Sequence, residues 1–171
     1  FYTQLWRIAP PLIRHYLKKR AVKSPAYLYH WGERFGEPFD RPVQHPIWVH
    51  AVSGGETRAA QPLVDALRRH FPDAPLLMTQ MTPTGRAAAK ELFPDAQCRY
   101  LPYDKPEWVA QFLKEHRPLF GVLMETEIWP NLMHACADAH VPLFRATARL
   151  SEKSQRGDLK IRTLFEPAMQ P

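Results

Sequence analysis

Short apolar runs alternate with helix-like segments along most of this chain, and that alternation restricts the possible folds more than any other sequence feature. The apolar runs predict strands at 47–52, 75–79, 98–101, 119–124 and 142–145. Apolar residues at helical spacing predict helices at 56–71, 83–92, 105–115 and 129–139, with a further basic helical segment from Ser151 onward. Strands that alternate with helices form βαβ units. We therefore expect an α/β fold, with a Rossmann-like parallel sheet of about five or more strands flanked by helices.

Polar residues follow several of the predicted strands, and the topology should bring them together. Right-handed crossovers place the loops that follow parallel strands at one edge of the sheet, where ligands bind in open α/β sheets. The candidate site residues at that edge are Ser53, Gly54, Gly55, Glu56, Thr82, Thr84, Gly85, Glu125, Glu127, Asn131, Arg149 and Ser151. The sequence thus predicts one functional site, in a cleft at this edge of the sheet.

Two carboxylates, Glu125 and Glu127, directly follow one predicted strand and precede a helix that begins near Trp129. Carboxylates are rarely buried without a partner, so these two are either functional groups or charges that stabilise the helix N-terminus. Glu56 presents the same choice, because it lies in the first turn of the helix after Ser53-Gly54-Gly55. The glycines would let a ligand approach the backbone N–H groups. The spacing matches neither a dinucleotide fingerprint nor a P-loop.

Hydroxyl and guanidinium groups supply the candidate anion contacts. Thr82 and Thr84 flank Pro83 at a predicted helix start, where they either cap the helix or help it hold a phosphate or carboxylate. Arg149 and Ser151 follow the last predicted strand, and a guanidinium binds phosphate in bidentate fashion. The alternative for Arg149 is an ion pair with Glu125 or Glu127.

The positive charge of the chain is concentrated at its N-terminus. Six basic residues and no acidic ones precede Glu33, which accounts for the whole net charge of +6. Apolar residues interleave with these charges as an amphipathic helix broken near Pro10-Pro11. This pattern favours an anionic membrane surface over nucleic acid as the partner of residues 1–32. A helix that packs on its own domain is the alternative, and no window is apolar enough for a transmembrane span.

Cysteine and histidine usage argues against metal chemistry and disulfides. The eight histidines show no metal-ligand spacing, so we expect no metal site, and His50 is interpreted as a core or strand-end residue. Cys98 and Cys136 lie far apart in different elements. We expect them to be reduced thiols of a cytoplasmic protein.

Five segments occur in an order and spacing that resemble a known family. They are HAVSGGE at 50–56, MTPTG at 81–85, YLPYD at 100–104, METEIWPN at 124–131 and ARLSEKS at 148–154. This series resembles the N-terminal half of the 3-deoxy-D-manno-octulosonic acid (Kdo) transferases, inverting GT-B glycosyltransferases of lipopolysaccharide assembly. The resemblance covers nearly the whole chain. Gly55, Gln80 and Thr147 depart from the family pattern, and all three flank the predicted cleft.

The resemblance implies transfer of Kdo from CMP-Kdo to a lipid A precursor at the cytoplasmic face of the inner membrane, by a peripheral or N-terminally anchored protein. It implies no metal or other cofactor. Glu56 matches the family's catalytic base, which accepts a proton from the acceptor, and Glu125 matches a residue that supports the transition state. The family's nucleotide-sugar domain is normally the C-terminal one, and its CMP-binding motifs are not found here.

We therefore expect residues 1–32 to form a membrane-contact segment and residues 33–171 to form an acceptor-binding domain that is inactive without its C-terminal partner domain. The alternative from a different class is a non-catalytic, membrane-surface module that binds an acidic glycolipid. A generic nucleotide-binding domain is disfavoured, because the phosphate-loop fingerprint is missing.

Overall fold

A five-stranded, wholly parallel sheet forms the centre of the molecule. The computed structural model describes residues 2–124 and 129–146. The strands are β1 (Ile47–His50), β2 (Leu76–Gln80), β3 (Gln97–Tyr100), β4 (Phe120–Leu123) and β5 (Leu143–Arg145). Their order in the sheet is β3-β2-β1-β4-β5, and every neighbouring pair is parallel. The predicted α/β, Rossmann-like fold is confirmed, and all five expected strands are present.

Eight α-helices connect and flank the strands of this part of the chain. They are α1 (Tyr2–Leu5), α2 (Ala9–Ala21), α3 (Trp31–Arg34), α4 (Gly54–Ala59), α5 (Gln61–His70), α6 (Pro83–Leu92), α7 (Pro106–His116) and α8 (Pro130–Asp138). A 3₁₀ turn at Pro25–Leu28 precedes α3. None of these helices combines the length and apolar character that crossing a membrane requires.

The prediction of a single helix at 56–71 is wrong, because the segment forms two helices, α4 and α5, which meet at Ala60. Pro62 lies in the first turn of α5, where it has no N–H to donate to the Arg58 carbonyl and its ring would crowd that group. The first helix also begins earlier than expected, at Gly54, because Ser53 caps it. The break expected near Pro10-Pro11 lies before them instead, and both prolines sit in the first turn of α2.

The sheet is buried on both faces, and each face has its own hydrophobic cluster. Ile47, Val49 and Ala51 face the cluster built with α5 and α6. Trp48 points the other way, into the cluster built with α7 and α8. A Cβ on Gly121 would lie 2.5 Å from Trp48 Cε3, so glycine on β4 makes room for the indole. Burial on both faces is typical of parallel sheets and explains the continuous apolar runs in the sequence.

A buried ion pair and a buried arginine attach the N-terminal part of the chain to the sheet. The Glu33 carboxylate accepts hydrogen bonds from both terminal nitrogens of Arg86 on α6 and from the Tyr100 backbone N–H at 2.7 Å. Arg34 is fully buried, donates to the Met81 carbonyl at 2.8 Å, and lies 3.6 Å from the centre of the Tyr100 ring. These contacts hold α3 against the carboxyl ends of β2 and β3.

Candidate functional site

Glu56 lies at the carboxyl end of β1, where its half-buried side chain folds back onto the start of its own helix. One carboxylate oxygen accepts a hydrogen bond from the Val52 N–H at 2.7 Å, and the other accepts one from the Ser53 hydroxyl at 2.8 Å. The Ser53 oxygen in turn accepts from the Glu56 N–H at 3.4 Å. This reciprocal arrangement is a variant of the capping box, in which the carboxylate reaches the Val52 N–H and the Ser53 hydroxyl instead of the Ser53 N–H. The Ser-x-x-Glu signature at 53–56 is a local signal in the sequence for this cap.

The two hydrogen bonds to the Glu56 carboxylate also fix its position. The Val52 N–H and the Ser53 hydroxyl each donate to a different carboxylate oxygen. The side chain is therefore held in one orientation, beside the start of α4 and at the carboxyl end of β1.

His50 is buried at the carboxyl end of β1, beneath this loop. The exposed fraction of the residue is 1%, and Nδ1 lies 2.8 Å from the Thr79 hydroxyl, which also accepts a hydrogen bond from the Trp48 indole. Burial lowers the pKa of His50 to about 4, although the nearby Glu56 charge opposes the shift. The imidazole is therefore neutral at pH 7. The prediction that His50 is a buried strand-end residue is confirmed.

The loop that follows β2 packs directly against the loop that follows β1. Thr82 caps α6 by accepting the Gly85 N–H at 3.1 Å, and its hydroxyl donates to the Val52 carbonyl at 3.2 Å. Thr84 is exposed, and its hydroxyl lies 3.1 Å from that of Thr82. The capping alternative therefore holds for Thr82, while Thr84 presents its side chain at the surface.

The three candidate glycines have different surroundings. A Cβ on Gly85 would lie 3.1 Å from the Val52 carbonyl oxygen, and one on Gly54 would lie 3.4 Å from that of Thr84. These two glycines let the starts of α4 and α6 approach each other. Gly55 is exposed, and among the described residues a Cβ there would meet nothing closer than the Ser53 hydroxyl at 4.0 Å. Of the three, Gly55 therefore has the most open surroundings among the described residues.

Asn131 forms a polar junction at the start of α8. Its backbone N–H donates to the Asp104 carboxylate at 3.1 Å, and its side-chain amide donates to the Asp104 carbonyl at 2.6 Å. The amide oxygen accepts a hydrogen bond from the Thr3 hydroxyl at 2.9 Å. Asn131 is 8% exposed, so its side chain is engaged by protein groups. No local pattern in the sequence indicates that Asp104 and Thr3 are its partners.

Four of the predicted site residues, Glu125, Glu127, Arg149 and Ser151, lie outside the described residues, as do Thr147 and the helical segment expected from Ser151. The residues that precede them in the chain belong to the same edge of the sheet. The Met124 N–H donates to the His50 carbonyl at 2.9 Å, and the Ala146 N–H donates to the Leu123 carbonyl at 2.9 Å. Within the described residues, 2–124 and 129–146, no three His, Cys, Asp or Glu side chains are grouped closely enough to hold a metal ion.

Comparison with known proteins shows that the chain is similar to members of one family over most of its length. A profile of the family described as "3-Deoxy-D-manno-octulosonic-acid transferase (kdotransferase)" matches residues 29–171. A 3-deoxy-D-manno-octulosonic acid transferase of Bordetella pertussis is 42% identical over 165 residues, which cover 91% of this chain and 38% of the relative. A transferase of the same name from Haemophilus influenzae is 39% identical over 157 residues, covering 90% of this chain and 37% of the relative.

The parallel sheet and its matched sequence define a Rossmann-like α/β domain of the type that forms the N-terminal half of a GT-B glycosyltransferase. The chain belongs to the 3-deoxy-D-manno-octulosonic acid transferase family. It spans 38% and 37% of the length of the two relatives above.

Proposed function

We propose that this chain is the acceptor-binding half of an inverting Kdo transferase that moves Kdo from CMP-Kdo to a hydroxyl of a lipid A precursor. The observation that carries the proposal is the position of Glu56. Its carboxylate lies at the carboxyl edge of the sheet, held by the Val52 N–H and the Ser53 hydroxyl. Ligands bind at that edge in open α/β sheets.

In the proposed reaction Glu56 is the general base. Its carboxylate accepts the proton of the acceptor hydroxyl while the oxygen attacks the anomeric carbon of Kdo. The bond between that carbon and the phosphate oxygen of CMP breaks, CMP leaves with the bonding electron pair, and the configuration inverts. General-base assistance of this kind contributes about 10²–10⁴-fold to a rate. Glu125 is assigned the support of the transition state, and no metal or other cofactor takes part in the proposed scheme.

The proposed acceptor contacts come from the two neighbouring loops and from the motif segments that follow. Gly55 and Thr84 are the exposed members of the loops after β1 and β2. Ser53, Gly54, Thr82 and Gly85 hold those loops in shape through the caps described above. Asn131 holds the start of α8. Direct acceptor contacts are proposed for Glu127, Arg149 and Ser151.

The N-terminal segment supports an anionic membrane surface as a partner. Leu17 and Ala21 on α2 are buried against the rest of the chain, whereas Leu12 on the same helix and Ile8 at its N-cap are 68% and 64% exposed. The helix therefore packs on its own domain and also presents an apolar face, beside exposed Lys18 and other basic residues. Apolar and basic side chains on one exposed helix are typical of interfacial membrane contact. We assign the protein to the cytoplasmic face of the inner membrane, where it would meet a lipid acceptor.

The test is a transfer assay on a protein of full family length that carries residues 1–171. This full-length protein should convert CMP-Kdo and a tetra-acylated lipid A precursor to CMP and a Kdo-containing lipid. The lipid product is detected by mass spectrometry. Residues 1–171 by themselves should bind the acceptor without turnover. Acceptor binding without any transfer in the full-length protein would instead favour the non-catalytic glycolipid-binding module.

A further inference from the structure

Asp104 is a buried carboxylate whose partners come from opposite ends of the described chain. It follows β3, and it is 1% exposed. Its Oδ2 accepts hydrogen bonds from the Tyr2 hydroxyl at 2.9 Å and from the Asn131 N–H at 3.1 Å. Its Oδ1 accepts one from the Leu132 N–H at 2.7 Å. Among the described residues it forms no ion pair, and the three hydrogen bonds offset only part of the effect of burial, which raises the pKa of this carboxyl.

The start of α8 depends on this carboxylate for its capping. Trp129 occupies the N-cap position and offers no side-chain acceptor, and Pro130 follows it. The next two N–H groups of the helix, on Asn131 and Leu132, therefore receive their acceptor from Asp104 in another loop. The Asn131 amide returns a hydrogen bond to the Asp104 carbonyl at 2.6 Å. The first turn of α8 is thus tied to the loop after β3.

The N-terminal helix is the third member of the same junction. The Tyr2 hydroxyl donates to Asp104, the Thr3 hydroxyl donates to Asn131 at 2.9 Å, and the Trp6 ring stacks on Tyr103 with 6.4 Å between centroids. Residues 2–6 therefore contact the loop after β3 and the start of α8 together. Removal of Tyr2 would leave one oxygen of a buried carboxylate with fewer donors, which is unfavourable.

The two predicted site carboxylates, Glu125 and Glu127, come shortly before this junction in the sequence, with Ile128 and Trp129 between Glu127 and the first residue of α8. We propose that Asp104 is a positioning residue for the reaction. Through hydrogen bonds shared with Tyr2 of the N-terminal helix, it fixes the start of α8, the helix that follows Glu125 and Glu127 in the sequence. The inference rests on the proposed function, since it assigns Asp104 an effect on transfer. A displacement of about 1 Å at a catalytic group can lower a rate by about 10²-fold.

Asp104→Asn and Tyr2→Phe in the full-length protein test the proposal. Asparagine keeps the shape of the side chain but turns one of its two acceptors into a donor, facing an N–H group. We expect kcat to fall about tenfold or more, with the acceptor KM changed less than about twofold. Tyr2→Phe, which leaves the carboxylate in place, should lower kcat about two- to threefold. Amide exchange of Asn131 and Leu132 should accelerate in Asp104→Asn.

The matched controls are Asp138→Asn, which removes an exposed carboxylate from the other end of α8, and Tyr29→Phe, which removes a phenol that is 63% exposed. Both should retain the unsubstituted kcat. If Asp104→Asn lowers only the melting temperature and the folded enzyme keeps its kcat, the positioning role is overturned and Asp104 is a cap alone. Should Asp104→Asn fail to fold, Tyr2→Phe decides, and a kcat equal to that of Tyr29→Phe overturns the role. A lack of transfer by the unsubstituted enzyme would instead overturn the proposed function.

Discussion

The Glu56 carboxylate and the Ser53 hydroxyl are joined by a 2.8 Å hydrogen bond, and the Glu56 N–H returns a 3.4 Å hydrogen bond to the same hydroxyl. The proposed base is therefore part of the cap of its own helix. Stability and orientation of the base depend on the same pair of side chains.

Ser53→Ala should lower both the stability of the fold and the transfer rate, and the two losses can be measured separately. Loss of an N-cap side chain lowers the free energy of unfolding by about 1 kcal/mol. The Glu56 carboxylate also loses one hydrogen-bond donor, worth about 1.5 kcal/mol, so the transfer rate should fall about tenfold. Urea unfolding and a transfer assay measure the two effects.

Ser24→Ala is the matched control, because Ser24 holds the N-cap position of the 3₁₀ turn at Pro25–Leu28 without a side-chain capping bond. It should change neither quantity. An equal loss of stability in Ser24→Ala and Ser53→Ala would contradict the capping geometry.

Two buried histidines predict a loss of stability in mild acid. Burial lowers the pKa of His50 and of His116 to about 4, against about 6.5 in the unfolded chain. Between those values the unfolded state binds more protons than the folded state, so the free energy of unfolding decreases as pH falls from about 6.5 to 4. Each residue contributes up to about 3 kcal/mol, fully present above pH 6.5.

His116→Gln checks this assignment by urea unfolding at pH 7 and pH 5. His116 Nε2 lies 3.0 Å from Arg99 Nη1, a donor, so Nδ1 carries the proton and donates to the Val43 carbonyl at 2.9 Å. Glutamine can accept and donate in the same way but does not titrate. The variant should lose about half of the histidine-dependent pH effect. An undiminished pH dependence would contradict the role of His116.

Gly121→Ala should destabilise the sheet. The added Cβ would lie 2.5 Å from Cε3 of the fully buried Trp48 and 2.7 Å from Leu143 Cδ2. Overpacking of this kind lowers the free energy of unfolding by about 1–3 kcal/mol. Gly55→Ala, with no close neighbour among the described residues, should instead raise it by about 0.5–1 kcal/mol. Calorimetry of the two variants compares them, and equal effects would contradict the packing described for Trp48.

The N-terminal segment should bind anionic vesicles in a salt-sensitive manner. Each basic residue near an anionic surface contributes about 1 kcal/mol, so Lys18→Gln with Lys19→Gln should weaken binding to phosphatidylglycerol vesicles about 30-fold. Binding should also weaken at 1 M salt, where the Debye length is about 3 Å. Lys90→Gln with Lys114→Gln removes two exposed charges outside the segment and should have little effect. Equal binding to neutral and anionic vesicles would contradict the assignment.

The sequence predicts the sheet well because its signals there are strong and local. Strands such as Ile47–His50 are buried on both faces, which requires continuous apolar runs, and Pro83 marks the start of α6 at the expected residue. The division at Ala60 was missed because an amphipathic pattern continues across Pro62.

The candidate site was predicted less completely, because its polar contacts join distant parts of the chain. Ser53 and Glu56 carry a local capping signature that the sequence displays. The tie between Asp104 and Asn131, by contrast, spans 27 residues, and that between Tyr2 and Asp104 spans 102. Pairings of this kind depend on the tertiary fold and leave no pattern in a single sequence.

The transfer rate of Glu56→Gln in a protein of full family length tests the central claim most directly. Glutamine keeps the shape of the side chain but cannot accept the acceptor's proton, so the rate should fall about 10²–10⁴-fold. The melting temperature should fall only slightly, since a charge at a helix N-terminus is worth about 0.3–1 kcal/mol. Glu91→Gln, at a site where the side chain is 69% exposed, should leave the rate unchanged. If Glu56→Gln keeps more than about a tenth of the rate, less than the smallest loss expected of a general base, Glu56 is not the base.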